Sequence, residues 1–346
     1  MSTTLPHAFL DQAKHCAALD SPFMANLLHL MARNWPKDSD LATICDGFTG
    51  DIGPTAASIP LRICGGLHAL VLSGQDSDLA AVYPPVMPDD ATLWAAVEQA
   101  LRGHLPFWQG WMQNAPQTNE VRRAAALIAA SHLLADRYNL PIRLSELGAS
   151  GGLNLMFDRF ALNVAGQTYG PSSPVSLSPD WQGPVLAKST PSIAERRGVD
   201  LNPLDAHSPD GALRLTAYLW ADQHERLTRT RAAISLLDAE VDKSDAIDWL
   251  ATRLTHKTGQ MHLIYHTIAW QYFPKAAQET GIRLIEQAGQ AATDDTPIAW
   301  LRLEADENNQ GAGLSLRLWP GDHHIELARV DFHGRWINWT GPIRLP

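Results

Sequence analysis

The sequence is poor in several features that would each have settled a class of function. It holds only three cysteines in 346 residues, Cys16, Cys45 and Cys64. They are far apart, odd in number and never arranged as a CxxC pair, so neither a disulfide framework nor a zinc knuckle is expected. No stretch approaches the roughly eighteen unbroken apolar residues that a spanning helix needs, so no membrane partner is expected. Basic runs are missing too. Lys and Arg number 27 against 37 Asp and Glu, for a net charge of −10. A duplex-binding surface needs clustered cations to displace counterions, so no nucleic-acid partner is expected. The opening MSTTLPHAFLDQAKHC lacks a basic region followed by an apolar one, and the expected location is cytoplasmic. Nothing in the sequence sets an oligomeric state.

What is present is core-forming. Apolar residues make up 45% and charged residues 18%, and the length suits about two domains. Residues 1–140 read as a helical domain or cap. Apolar residues recur at helical spacing over 7–19, 23–33, 61–73, 92–103 and 120–138, with breaks at Pro22, Pro36, Gly74, Pro84 and Pro116. Residues 141–346 read differently. Strand-length apolar runs over 142–147, 261–266 and 298–304, with a weaker and more polar strand over 192–199 and a short candidate over 238–241, alternate with helices over 211–237 (broken near 220–222), 246–255 and 275–288. That alternation implies a mostly parallel α/β sheet. A hairpin is expected over 160–169. From Leu314 onward apolar and polar residues alternate, which implies terminal antiparallel strands.

The stretch Ile142-Arg143-Leu144-Ser145-Glu146-Leu147-Gly148-Ala149-Ser150-Gly151-Gly152-Leu153-Asn154 carries the most chemistry. An apolar strand ends in an acid, followed by a turn of small residues and a potential helix start. Small residues let a ligand approach the backbone. Unpaired N–H groups at a helix start attract an anion. A carboxylate at the strand end reaches a ribose hydroxyl or an ammonium group.

Glu146-x-Gly148-x-Ser150-x-Gly152 resembles the first motif of class I S-adenosylmethionine-dependent methyltransferases, with Ser150 where a glycine is usual. The resemblance implies a methyltransferase-like, Rossmann-like domain. In it Glu146, Gly148, Ala149, Ser150, Gly152 and Asn154 would hold the methionine part of S-adenosylmethionine. The segment Arg197-Gly198-Val199-Asp200 resembles the second motif, whose acid binds the ribose. Asp200 comes first for that role and Asp205 second, although residues 158–191 make the spacing longer than usual. Ser244-Asp245-Ala246 resembles the third motif, in which Asp245 and Ala246 would meet the adenine; Asp245 also reads as an ordinary helix cap. More narrowly, the motifs look like an uncharacterised bacterial domain-of-unknown-function family (number twenty-three thirty-two), spanning most of the chain.

The implied activity is methyl transfer to a small-molecule acceptor. His266, at the carboxyl end of the fourth strand, is the candidate catalytic base, against a reading as a packed core histidine. Trp270 would line the mouth beside it. Arg62, His68, Asn119, Glu120 and Arg123 are the acceptor-binding candidates from the helical half, each with a salt-bridge or surface alternative.

Two other classes fit the same residues. A methyltransferase-like protein without turnover can bind the cofactor or act as a scaffold. Gly148-x-Ser150-x-Gly152 also satisfies the nucleophile-elbow pattern of a serine hydrolase, with Asp205 or Asp242 and His266 or His324 completing a triad. His262 and His266, and the Asp322–His324 cluster, do not make a convergent ligand set, so no metal is expected.

Overall fold

In the computed structural model, residues 4–53, 56–308 and 310–346 are described. Helices α1 (Leu5–Ala18), α2 (Pro22–Asn34), α3 (Asp40–Asp46), α4 (Ile59–Leu72), α5 (Ser77–Ala80), α6 (Asp90–Arg102) and α7 (Leu105–Trp111) come first. They are followed by α8 (Ala124–Tyr138), and later by α9 (Pro209–Ala217), α10 (His224–Leu236), α11 (Ala246–Arg253) and α12 (Lys275–Gln290). The strands are β1 (Ile142–Leu147), β2 (Ala161–Val164), β3 (Gln167–Tyr169), β4 (Ser176–Leu177), β5 (Asp180–Gln182) and β6 (Ile193–Asp200). After them come β7 (Glu240–Lys243), β8 (Met261–Thr267), β9 (Ile298–Glu304), β10 (Ala312–Trp319), β11 (His323–Val330) and β12 (Trp336–Trp339).

Contacts divide the chain into two compact units. One runs to Thr118 and takes in Ala206–Thr228; the other holds Asn119–Asp205 and Arg229–Pro346. The change of texture at residue 140 therefore marks where the sheet begins, not where the contacts divide. The cause is α8. Its residues from Ala124 to Ala135 are all buried, as expected for a helix apolar on every side. Its Leu127, Leu133 and Leu134 pack into the same core as the sheet residues Leu144, Leu263 and Leu301. The first unit has its own core, built around Phe9, Leu27, Leu28, Met31, Ile63 and Leu67.

The second unit is a mixed α/β structure on a nine-stranded, mostly parallel sheet in the order β5-β12-β11-β10-β9-β8-β1-β6-β7. Strands β7, β6, β1, β8 and β9 run parallel. Strands β10 to β12 continue it antiparallel. The expected alternation is visible in β10, where Leu314 and Leu316 are buried between half-buried neighbours, up to the buried pair Leu318 and Trp319. The expected hairpin is β2–β3. Its turn residues Ala165 and Gly166 both have positive φ, 49° and 73°, the conformation that matches strand twist in a two-residue hairpin. Strand β5, paired parallel with β12, was not legible, because Asp180–Gln182 has no apolar alternation. The strand expected at 238–241 lies two residues later, at β7.

The chain passes from β1 outward to β6 and β7, then returns to the other side of β1 for β8 and β9. The order reverses between β1 and β8, and in open parallel sheets ligands favour the crevice beyond the carboxyl ends of such strands. Apolar side chains from α8 cover one face, and those of α11 and α12 the other.

Candidate functional site

Strand β1 is buried along its whole length, polar residues included. Because side chains alternate, Ile142, Leu144 and Glu146 share the face covered by α8. Glu146 stands opposite Tyr265 of β8 in the register. The Glu146 carboxyl is only 1% exposed. Burial pushes its pKa well above the usual carboxylate range, partly opposed by the Tyr265 hydroxyl and by the charge of Arg123. The Tyr265 hydroxyl lies 3.4 Å from Glu146 Oε2 and 3.3 Å from the Asn154 carbonyl, both long for a hydroxyl bond.

The turn after β1 closes on itself. Gly148 and Ala149 donate their N–H groups to the Val199 carbonyl, and Gly152 donates to Ala149. Ser150 donates its N–H to Asp200 Oδ2 at 2.9 Å, and Leu153 donates to Asn119 Oδ1 at 2.8 Å. The following segment Leu153–Arg159 is a 3₁₀ helix, not the α-helix expected. These N–H groups are therefore spent within the protein, and the expected anion-binding helix start is absent here. The glycines face protein as well. A Cβ on Gly148 would meet the Ala269 Cβ at 2.6 Å, and one on Gly152 would meet Val241 Cγ2 at 2.8 Å. Both have left-handed φ, 71° and 75°. Their first role is packing at a conformation that suits glycine.

Two polar atoms remain unsatisfied in this cluster. Ser150 Oγ and Asn154 Oδ1 are buried with no hydrogen-bond partner, and such atoms are uncommon enough to need a reason. Ser150 sits at φ 54°. Asn154 is held from its other side, donating Nδ2–H to the Glu120 carbonyl at 3.2 Å. Asp200 ends β6 beside the β1 turn, and its Oδ1 accepts the Asn202 N–H at 2.9 Å. Asp205 is exposed and lies beyond the strand. Asp245 caps α11, its Oδ1 accepting from Ile247 and Asp248, so the cap reading is realised. Ala246 is the first residue of that helix and is buried.

Several other expectations need correction. His266 is 0% exposed. Its Nδ1–H donates to Glu304 Oε1 at 2.7 Å, and its Nε2 accepts from the Trp300 indole at 3.1 Å. Both ring nitrogens are engaged, so no lone pair is left for a substrate, and His266 stands as a packed core histidine. Trp270 does not line a mouth: it is buried and stacks on the His266 ring at 4.9 Å. In the first unit, Arg62 is buried and donates to the carbonyls of Ala57 and Met112. His68 is buried and bonds the Leu219 carbonyl at 2.8 Å. Each ties backbone segments of its own unit together. Arg123 donates to the carbonyls of Phe332 and Thr267.

Glu304 and Tyr265 were missed. Glu304 ends β9 and accepts from His266 and from the backbone N–H groups of Ala269 and Trp270. Burial alone would raise its pKa, but these donors outweigh it and hold it low. No local signal marks Tyr265, whose place opposite Glu146 comes from the pairing of β1 with β8.

Among the described residues no group of His, Cys, Asp and Glu is arranged to hold a metal ion, the cysteines are free and buried, and no helix is long and apolar enough to cross a membrane. A family model described as an uncharacterized protein conserved in bacteria, DUF2332, matches residues 6–339. No curated protein matches the chain.

Proposed function

The chain belongs to the DUF2332 family of bacterial proteins, and we propose that it binds S-adenosylmethionine at the carboxyl edge of β1 and transfers the methyl group to a small-molecule acceptor. The observation that carries this reading is the buried polar cluster at the strand-order reversal. Glu146 is buried at the end of β1, and Ser150 Oγ and Asn154 Oδ1, in the turn and segment that follow, are buried without a partner; the Tyr265 hydroxyl lies between Glu146 and the Asn154 carbonyl. A ligand with a cationic group and hydrogen-bonding groups of its own would satisfy all three. The parallel order β7-β6-β1-β8-β9, with an acid closing β6 beside the β1 turn, supports a methyltransferase-like domain.

Bound at this edge, the cofactor supplies a sulfonium whose methyl is already activated. The protein's task is binding and alignment. Asp200 would accept from the ribose hydroxyls. Its oxygens already take the Ser150 and Asn202 N–H groups, so ribose hydroxyls would share the carboxylate with these bonds. Glu146 would face the positive charge, and Asn154 and Ser150 would complete the polar wall. With His266 engaged, an acceptor that brings its own neutral amine fits better than a hydroxyl, which would need a base.

A reading without turnover has an observation in its favour: the N–H groups of Gly148, Ala149, Ser150 and Gly152 and both ring nitrogens of His266 are engaged within the protein. The hydrolase reading draws on the left-handed Ser150. It lacks a base, because Ser150 Oγ has no hydrogen-bond partner and a nucleophile needs one in reach.

The first test is the melting temperature with excess S-adenosylmethionine or S-adenosylhomocysteine. At about a hundred times the dissociation constant a ligand stabilises by roughly 2.7 kcal/mol. A saturable rise with both is expected. No rise, repeated by calorimetry, overturns the cofactor reading. Labelling of Ser150 by a fluorophosphonate probe would replace it with the hydrolase.

A further inference from the structure

A second feature of the sheet unit lies apart from the β1 turn. Between α8, the 3₁₀ segment Leu153–Arg159 and the loop segments around Gly170 and Thr190 is a cavity of about 340 Å³. That volume is within the range of small-molecule sites, and far more than a single water needs. Its walls are largely apolar: Ile128, Phe157, Phe160, Pro171 and Pro191 all line it.

His132 of α8 also lines the cavity. It is only 4% exposed, yet neither ring nitrogen makes a hydrogen bond of normal geometry, the Ser189 backbone being near enough only for a weak interaction. Its ring meets the Tyr169 ring edge-on at 5.0 Å. Tyr169 offers it nothing polar, since that hydroxyl is spent on the Leu186 carbonyl at 2.9 Å. Burial takes the His132 pKa from 6.5 down to about 4, only partly offset by the Ser189 backbone, with the charge of Lys188 adding to the fall. At neutral pH the ring is uncharged, with one donor and one acceptor. The other ionisable residue on the wall, Asp158, is matched through both oxygens by Arg196 at 2.9 and 3.0 Å. The charges on the wall itself are therefore balanced, while the Lys188 ammonium acts on His132 from outside the lining.

We propose that this cavity is a binding site for an uncharged aromatic molecule of about bicyclic size carrying a single hydroxyl, with His132 as the polar group that recognises it. A hydroxyl can donate or accept, so it suits whichever His132 nitrogen faces it, while the rings fill the apolar walls. A buried donor and acceptor left without partners are costly, by roughly 1–3 kcal/mol each. That makes the hydroxyl the selective feature: a bare hydrocarbon of the same shape leaves His132 unsatisfied. Ser131, also on the wall, donates its hydroxyl to the Ile128 carbonyl at 2.8 Å, so it adds an acceptor at most.

Naphthol and naphthalene are a matched pair of probes. Titration of the full chain, followed by NMR of the histidine ring resonances, should show saturable naphthol binding that moves the His132 signals. Naphthalene should bind about tenfold more weakly, the equivalent of about 1.4 kcal/mol. His132→Phe should lower naphthol to the naphthalene level, and His132→Gln, which keeps a donor and an acceptor, should retain a preference. Ser131→Trp, which fills the cavity, should abolish binding of both. Equal affinity for the two probes in the wild-type chain overturns the proposal, as does naphthol binding that survives Ser131→Trp or leaves His132 unmoved. Should His132→Phe fail to fold, the wild-type probe pair and the His132 signals still decide.

Discussion

The backbone N–H of Ser150 donates to Asp200 Oδ2 at 2.9 Å, so the end of β6 is fastened to the turn that follows β1. Asp200 does this while its other oxygen holds the Asn202 N–H. Two charge-assisted bonds of this kind are worth roughly 1.5–3 kcal/mol each when neither is strained. Asp200→Ala removes both and is expected to destabilise by about 3–6 kcal/mol in a denaturant titration. Asp200→Asn keeps only one acceptor oxygen and should lose about half of that. If Asp200 also receives the ribose hydroxyls, Asn should weaken S-adenosylmethionine binding well beyond what its modest stability loss implies. Equal affinity in wild type and Asp200→Asn would restrict the residue to its structural tie.

Glu146 makes a prediction with a definite sign. Its carboxyl is buried and its pKa is raised well above the ordinary value, chiefly by burial. Its contribution to stability is therefore fully present below the unfolded pKa of about 4.3 and lost as pH rises through the folded value. Glu146→Gln removes this titration. The variant should melt higher than wild type at neutral pH, and its stability should fall less between mildly acidic and neutral pH. A cationic ligand reverses the balance by favouring the carboxylate. Binding of S-adenosylmethionine should then release protons, seen as a dependence of the calorimetric heat on buffer ionisation enthalpy, and affinity should rise with pH. Glu146→Gln should lose both the proton release and most of the affinity. A variant no more stable than wild type at neutral pH would show that the carboxyl does not carry this strain.

Much of this site was legible because it depends on local order. The acid at the end of β1, the small-residue turn and the acid that closes β6 are each visible as a strand ending followed by a break. Burial of whole elements was legible for α8, which is apolar on every side. What the sequence does not carry is register and competition. That Tyr265 stands opposite Glu146 depends on how β1 pairs with β8. That His266 is engaged depends on Glu304 and Trp300, both on β9, 38 and 34 residues further on. Arg62 and His68 look like free polar groups along α4 until the fold brings backbone carbonyls to them. The small-residue turn was read as room for a ligand, yet the space above Gly148 and Gly152 is filled by Ala269 and Val241.

The filled space above these glycines decides which substitution is informative. Gly152→Val would put a branched side chain against Val241 at a left-handed φ, so it would damage the fold along with any binding. Gly148 offers a cleaner measurement. Gly148→Ala incurs two separate penalties: about 1–2 kcal/mol for the left-handed backbone and roughly 1–3 kcal/mol for crowding against the Ala269 Cβ. The double variant with Ala269→Gly should recover the crowding share and leave the backbone share. A double-mutant cycle of melting free energies reads this directly. Additive effects would mean that the two residues do not touch.

Glu304 should show the opposite pH signature from Glu146, although both are buried glutamates on neighbouring parts of the same sheet. Burial raises the pKa of each, but Glu304 accepts from His266 Nδ1 and from the N–H groups of Ala269 and Trp270, and the net shift is downward. A depressed carboxyl contributes stability that is present above the unfolded value of about 4.3 and lost as pH falls through the folded one. Glu304→Gln should therefore destabilise at neutral pH by about 3–5 kcal/mol, the usual loss when one member of a buried polar pair is removed. It should also remove part of the decline in stability below about pH 4.3. His266→Gln should break the same network, leaving the Trp300 indole and the Glu304 carboxylate short of a partner, and the two losses should be far from additive. Because His266 is engaged on both sides, its replacement should act through stability: at temperatures where the variant is folded, S-adenosylmethionine affinity should stay within about threefold of wild type, less than the tenfold that about 1.4 kcal/mol represents. A His266→Gln chain that keeps its melting temperature but loses methyl transfer would return the histidine to the reaction.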